Sequence, residues 1–175
     1  MKSRTGKLAE LAVLTAVAFI FSYIESLFPL PLPFPGIKLG LANLILLIVL
    51  YRDGFLSALG VSMTRNVLNA LTFGSLFGFF YSLAGSLLSL LVMFLLTKMK
   101  YPQLSLIGVS AVGGILHNAG QFFVAVLLVG LSAIFPYLPF LYFAGLIAGV
   151  LIGILASLCL KRLPFFHSGS INNKS

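Results

Sequence analysis

Charged residues are scarce in this sequence. Aspartate, glutamate, lysine and arginine together make up 8% of its 175 residues, whereas they make up about 25% of an ordinary soluble domain. Only three residues are acidic, namely Glu10, Glu25 and Asp53, and 60% of the chain is hydrophobic. This composition excludes a soluble globular domain and predicts an integral membrane protein.

Several features of enzymes and metalloproteins are also missing. The single cysteine, Cys159, excludes a disulfide and a thiolate metal site. No second carboxylate accompanies His117, and His167 falls in the C-terminal tail, so we expect no metal ion. The sequence has neither an aspartate-rich motif nor a Walker motif. We therefore expect no catalytic prenyl transfer, no cofactor and no use of ATP by this chain itself.

Six apolar runs, each bounded by charge, proline or glycine, are predicted to be helices. A helix needs about 20 apolar residues to cross a bilayer, so the length allows six spans and no soluble domain. The predicted fold is an all-α bundle of six transmembrane helices in a single domain, residues 1–175. The predicted spans are residues 8–28, 37–51, 55–71, 75–97, 104–130 and 137–160. The second and third are short, so they are either tilted little or shielded from lipid by their neighbours.

The positive residues predict the orientation of the bundle. In a six-span arrangement nine of the eleven lysines and arginines fall on one side, and such residues in short loops stay in the cytoplasm. Both termini are therefore expected inside the cell. The net charge of +8 is then an orientation signal and a contact with anionic lipids, and no nucleic-acid partner is expected. The two exceptions are Lys38, in the outer loop, and Arg65, within the third span.

A proline-rich loop joins the first two spans. Prolines alternate with apolar residues between positions 29 and 35, which bars a helix and favours a stiff, extended path. Glu25 and Lys38 stand at the two ends of this loop. They either cap a pocket beneath it or merely pair with each other.

Polar residues recur at helical spacing on three of the predicted spans. The first span carries Thr15, Ala18, Ser22 and Glu25; the third carries Ser62, Arg65, Asn66 and Asn69; and the fifth carries Ser110, Gly114, His117, Asn118 and Gln121. Counted at about 1.5 Å per residue, they meet near the middle and outer half of the membrane. The candidate ligand-binding residues are Glu25, Lys38, Asn43, Arg65, Asn66, Asn69, His117, Asn118 and Gln121.

Each polar group also has a structural interpretation. A charged arginine inside a membrane needs a partner or a cavity, so Arg65 either binds a ligand or forms a salt bridge with Glu25. His117, Asn118 and Gln121 either contact a ligand or hold helices together.

Small residues at every fourth position predict close helix packing. They are Gly145, Gly149 and Gly153 on the last span, and Gly74, Gly78, Ser82 and Ser86 on the fourth. Ala12 and Ala16 form a similar surface on the cytoplasmic half of the first helix. This surface is displaced from Glu25 and is suited to a partner helix.

Short motifs over residues 8–160 resemble the bacterial family called Gx transporters, also named heptaprenyl diphosphate synthase component I. They are Glu25-Ser26-Leu27-Phe28-Pro29, PGIKLGLAN at 35–43, Arg65-Asn66, Phe73-Gly74-Ser75, Tyr81-Ser82-Leu83-Ala84-Gly85 and His117-Asn118-Ala119-Gly120-Gln121. That family is similar in size and layout to the substrate-binding S components of energy-coupling factor (ECF) transporters. The resemblance implies a ligand near the outer face beneath the 29–36 loop. It also implies that Ala12 and Ala16 contact a transmembrane coupling subunit.

Two functions remain open at this stage. The first is a solute-binding transporter component in the bacterial cytoplasmic membrane, with energy supplied by separate coupling and ATPase subunits. Because Lys38 and Arg65 outnumber Glu25, its solute is expected to carry an anionic group. The alternative is a non-catalytic membrane partner in polyprenyl (heptaprenyl) diphosphate or quinone biosynthesis.

Overall fold

The computed structural model describes residues 3–27, 40–99, 104–130 and 135–162, and all regular structure within these ranges is helical. The α-helices are α1 (Arg4–Leu27), α2 (Leu41–Asp53), α3 (Phe55–Thr72), α4 (Leu76–Lys98), α5 (Leu106–Val129) and α6 (Leu138–Arg162). A short 3-10 helix, Phe135–Tyr137, precedes α6. The all-α class predicted from the sequence is confirmed.

The ends of the first two helices differ from the predicted spans. Helix α1 begins at Arg4 instead of residue 8, because the Ser3 hydroxyl accepts the backbone N–H of Gly6 at 3.1 Å and caps the helix. Helix α2 begins at Leu41 instead of residue 37, because Gly40 is left-handed (φ 77°, ψ 31°) and cannot continue a helix. The predicted 29–36 loop and Lys38 lie outside the described residues.

Two serines that were predicted near span starts are helix caps. Ser75 accepts the N–H of Gly78 at 3.0 Å and begins α4, and Ser105 accepts the N–H of Gly108 at 3.1 Å and begins α5. Each serine satisfies a backbone donor that the first turn leaves unpaired. The predicted spans from residues 75 and 104 therefore start one and two residues too early.

Helix α2 lies inside the bundle. Its 13 residues are shorter than a bilayer crossing, and Ala42 and the whole stretch from Leu44 to Leu50 are buried. Helices α1, α3 and α6 pack around it. Of the sequence-based alternatives for the short spans, shielding by neighbours is the one that α2 adopts.

Four of the described helices are long and apolar enough to cross a membrane, namely α1, α4, α5 and α6. Helices α2 and α3 do not qualify by length and composition. A multi-pass membrane protein is thus supported, while six crossings with both termini inside remain a prediction.

That orientation can be tested with an impermeant thiol reagent in a Cys159→Ser background. A cysteine introduced at Leu32 is expected to be labelled from outside whole cells, because 29–36 is the predicted outer loop. Cysteines introduced at Lys100 or Lys174 are expected to react only after lysis. The reverse labelling pattern would contradict the predicted orientation.

A buried ion pair joins α1 to the turn between α2 and α3. Arg52 donates to Glu10 and to Asp53 at 2.6 Å each, and its side chain is only 3% exposed. Gly54, with φ 87°, forms the turn that follows. Arg52 is therefore not a free loop charge, and it engages two of the three acidic residues of the chain.

Glycines bring α5 and α6 into backbone contact, as the small-residue spacing on α6 predicts. A Cβ atom at Gly145 would lie 2.6 Å from the carbonyl oxygen of Gly114, and one at Gly149 would lie 2.5 Å from that of Ser110. Neither distance leaves room for a methyl group. The α4 stripe is only partly a packing surface, because Gly74 lies before the helix begins.

Candidate functional site

A polar cavity of about 70 Å³ lies among all six helices. A void for a single water needs about 10–15 Å³, so this one holds several water-sized groups. Its lining residues are Ser22, Glu25, Gly40, Asn43, Leu47, Arg65, Asn69, Ser82, Ser89, Met93, Ser110, Gly113, Gly114, His117, Asn118, Gln121, Gly145, Ala148, Gly149 and Ile152.

Most of the predicted site residues meet in this cavity. Seven of the nine line it: Glu25, Asn43, Arg65, Asn69, His117, Asn118 and Gln121. Lys38 lies outside the described residues. Asn66 is not a lining residue but stands behind Arg65, as its contacts show.

Arg65 is the buried cation of the cavity, with 6% of its surface exposed. Its Nη2 atom donates to Oδ1 of Asn66 at 3.0 Å, and Nδ2 of Asn66 donates to the hydroxyl of Ser86 at 2.9 Å. Through these two hydrogen bonds, Ser86 of α4 supports Asn66, which in turn orients the guanidinium of Arg65. Among the described residues, Nε of Arg65 has no hydrogen-bond partner.

Glu25 faces the same cavity from the end of α1. Its Oε1 atom accepts the backbone N–H of Leu41, the first residue of α2, at 2.9 Å. A carboxylate at this position also complements the positive end of the helix dipole. The bond holds the glutamate beside Gly40 and Asn43, where α1 leads into α2.

Glu25 and Arg65 do not form a salt bridge, which was one of the two alternatives for Arg65. The ion pairs among the described residues join Arg52 to Glu10 and Asp53, and none joins Arg65 to Glu25 within 4.0 Å. Both residues nevertheless line the same cavity. The two charges thus face one cavity without touching.

Helix α5 contributes amides and an imidazole. Nε2 of Gln121 and Nε2 of His117 are 3.1 Å apart. An amide nitrogen only donates, so this bond requires the His117 tautomer whose Nε2 is unprotonated and accepts. Asn118 donates to the carbonyl of Leu141 on α6 at 2.7 Å, and Ser110 donates to the carbonyl of Gly149 at 2.7 Å. Asn118 therefore both lines the cavity and holds two helices together.

Asn69 supplies an acceptor without a protein donor. Its Oδ1 atom is buried, and no described residue donates to it. Buried amide oxygens are normally hydrogen-bonded. Arg65 and Asn69, which both line the cavity, thus provide one unmet donor, Nε, and one unmet acceptor, Oδ1.

Serines of α4 were missed as site residues. Ser82 and Ser89 line the cavity, and Ser86 supports Asn66. The sequence-based interpretation of Ser82 and Ser86 was close packing. The structure adds a hydrogen bond from Asn66 to the hydroxyl of Ser86 and places Ser82 in the cavity lining. Their spacing of four placed them on one face, but small residues at that spacing are also typical of packing.

The comparisons with known proteins agree with this architecture. The family model for heptaprenyl diphosphate synthase component I matches residues 14–159. This chain belongs to that family. The match includes every described member of the predicted ligand site.

The fold of this chain matches that of a protein of known structure. That structure is the S component of a bacterial ECF transporter. It superposes on this chain with a TM-score of 0.74, and the two sequences are 24% identical. The alignment covers 95% of this chain and 99% of the S component. The fold of this chain is therefore that of an ECF S component. Among curated proteins the sequence has no match.

Proposed function

We propose that this chain is the substrate-binding component of an uptake transporter and holds a small solute in the central cavity. The observation that carries the proposal is Arg65, a buried cation that lines a polar cavity and keeps an unmet donor. An intramembrane charge is expensive and typically marks a ligand site or a transport pathway. The S-component fold supports the same role.

The solute is proposed to carry an anionic group that binds Arg65. A guanidinium has five N–H donors in a planar fork, which matches a carboxylate or phosphate. Asn66 accepts only one of these bonds. The amide groups of Asn43, Asn69 and Gln121 would then orient the rest of the solute.

The position of the cavity supports a ligand under the 29–36 loop. Glu25 lies two residues from the end of α1, and Gly40 and Asn43 lie where α2 begins. The cavity thus reaches the point where the chain leaves α1 and returns as α2. Residues 29–36 are proposed to close it from the outer side.

The family description favours a second candidate, a non-catalytic membrane component of polyprenyl diphosphate or quinone biosynthesis. A polyprenyl tail needs an apolar channel, but among the described lining residues only Leu47, Met93 and Ile152 are large and apolar. A tail would therefore have to lie elsewhere. The charged and amide groups of the lining favour a small polar solute instead.

Coupling to separate energy-supplying subunits is proposed to use the small surface of α1. Ala12 and Ala16 are both exposed, as a helix-docking surface requires. The double variant Ala12→Leu with Ala16→Leu is expected to abolish co-purification with a coupling subunit, because leucine prevents close backbone approach. Solute binding should persist, since neither alanine lines the cavity.

The measurement is a pull-down from cells that co-express an ECF coupling subunit and its ATPases. A matched control is Val13→Leu, which enlarges an exposed side chain next to the pair. Capture of the coupling subunit by the double variant at the wild-type level would count against the transporter role.

A further inference from the structure

We infer that the solute is zwitterionic, with a cationic group for Glu25 as well as an anionic group for Arg65. The inference rests on the proposed function and specifies the class of solute. It predicts that neither a simple anion nor a simple cation of the same skeleton fills the cavity as well as a molecule that carries both charges.

Glu25 differs from the other acidic residues of the chain in its partners. The sequence has three of them. Glu10 and Asp53 are both engaged by Arg52 at the other end of α1. Glu25 is therefore the one acid that lines the cavity.

Separate hydrogen-bond anchors hold the two charged groups. Leu41 holds Glu25 at the start of α2, and Asn66 holds Arg65 on α3 with support from Ser86. Opposite charges in a low-dielectric site attract strongly and would otherwise collapse into an ion pair. The anchors preserve a gap between a carboxylate and a guanidinium that is already set before a solute arrives.

Charge balance favours a zwitterion over an anion in this gap. The described lining contains one formal cation, Arg65, and one formal anion, Glu25. An anionic solute would bring a second negative charge into the cavity that Glu25 lines, and like charges in one site repel. A zwitterion leaves the balance unchanged. An ionised carboxylate also has about four acceptor positions, of which the bond from Leu41 uses one.

The competing explanation is that Glu25 only anchors the start of α2. The Glu25→Gln variant separates the two roles, because glutamine keeps an oxygen that accepts the Leu41 N–H but loses the charge. An anchoring role predicts unchanged solute binding in this variant. A role in binding a cationic group predicts a loss.

The probes are three short amino acids, glycine, beta-alanine and gamma-aminobutyrate, in which the charges are progressively further apart. Each has a matched carboxylate (acetate, propionate, butyrate) and a matched amine (methylamine, ethylamine, propylamine). Affinities are measured by titration into purified wild type, Glu25→Gln, Arg65→Gln and the control Ser26→Ala, an exposed neighbour of Glu25. Thermal unfolding verifies that each variant is folded.

At least one amino acid is expected to bind wild type about tenfold more tightly than its matched carboxylate and amine, or about 1.4 kcal/mol. Glu25→Gln should remove the advantage over the carboxylate, and Arg65→Gln the advantage over the amine. Ser26→Ala should match wild type.

Equal binding of carboxylates and amino acids, unchanged by Glu25→Gln, would overturn the zwitterion and leave an anion-binding transporter component standing. Absence of binding by every amino acid would also overturn it. The proposed function fails separately if Arg65→Gln binds the carboxylates as wild type does.

Discussion

The Gly114→Ala variant is expected to lose about 3 kcal/mol of stability, the upper end of what overpacking usually costs. A Cβ atom at Gly114 would overlap the carbonyl oxygen of Gly145 and lie 3.0 Å from the Cα atom of Gly149. These are backbone atoms of α6 and cannot rotate away. For a chain of this size, 3 kcal/mol corresponds to a fall in Tm of roughly 6–12 °C.

Gly60→Ala is the matched control for this variant. Gly60 lies in α3, and a Cβ atom there would meet nothing within 4 Å. Alanine is the better helix former, so this variant should be as stable as wild type or gain up to about 1 kcal/mol. Equal Tm values for Gly114→Ala and Gly60→Ala would contradict the close contact between α5 and α6.

Substitutions of Arg65 are expected to weaken binding of the retained solute in a graded order. Arg65→Gln removes a charge-assisted bond of about 1.5–3 kcal/mol, which corresponds to roughly a tenfold to hundredfold loss of affinity. Arg65→Lys keeps the charge but loses the planar fork that holds an anion through two donors. Its affinity for the solute should therefore lie between those of wild type and Arg65→Gln. Titration calorimetry with the solute extracted from wild type measures all three.

Two controls separate binding from folding in this series. Thr64→Ser changes an exposed neighbour of Arg65 and should bind as wild type does. The double variant Glu25→Gln with Arg65→Gln tests an ion-pair role in the absence of solute. If the second substitution restores a stability that Arg65→Gln lost, Arg65 is a structural partner of Glu25 and the anionic-solute proposal fails.

The helices could be predicted from the sequence because apolar runs and their breakers are local signals. What the runs do not contain is the conformation of single residues at their ends. Gly40 was placed inside a helix, yet its left-handed backbone moves the start of α2 to Leu41. Ser75 was placed as the first residue of its span and Ser105 as the second residue of its span, and their hydrogen bonds to Gly78 and Gly108 show that both are caps.

The residues that line the cavity were largely predictable for a different reason. Polar side chains in apolar helices turn away from lipid. The interior of the bundle is therefore the expected location of Arg65, Asn69, His117 and Gln121. Their individual partners depend on how far each helix is rotated, which no single helix encodes. Two such contacts join residues far apart in the chain: Asn66 donates to Ser86, and Arg52 donates to Glu10. Neither pair could be identified without the structure.

Native mass spectrometry of the protein, released from nanodiscs, tests most directly whether the central cavity holds a small solute. We expect wild type to carry one small molecule with an anionic group, and we expect Arg65→Gln, purified in parallel, to carry much less of it. A polyprenyl diphosphate bound equally by both proteins would contradict the account, because its binding would not depend on Arg65 in the central cavity.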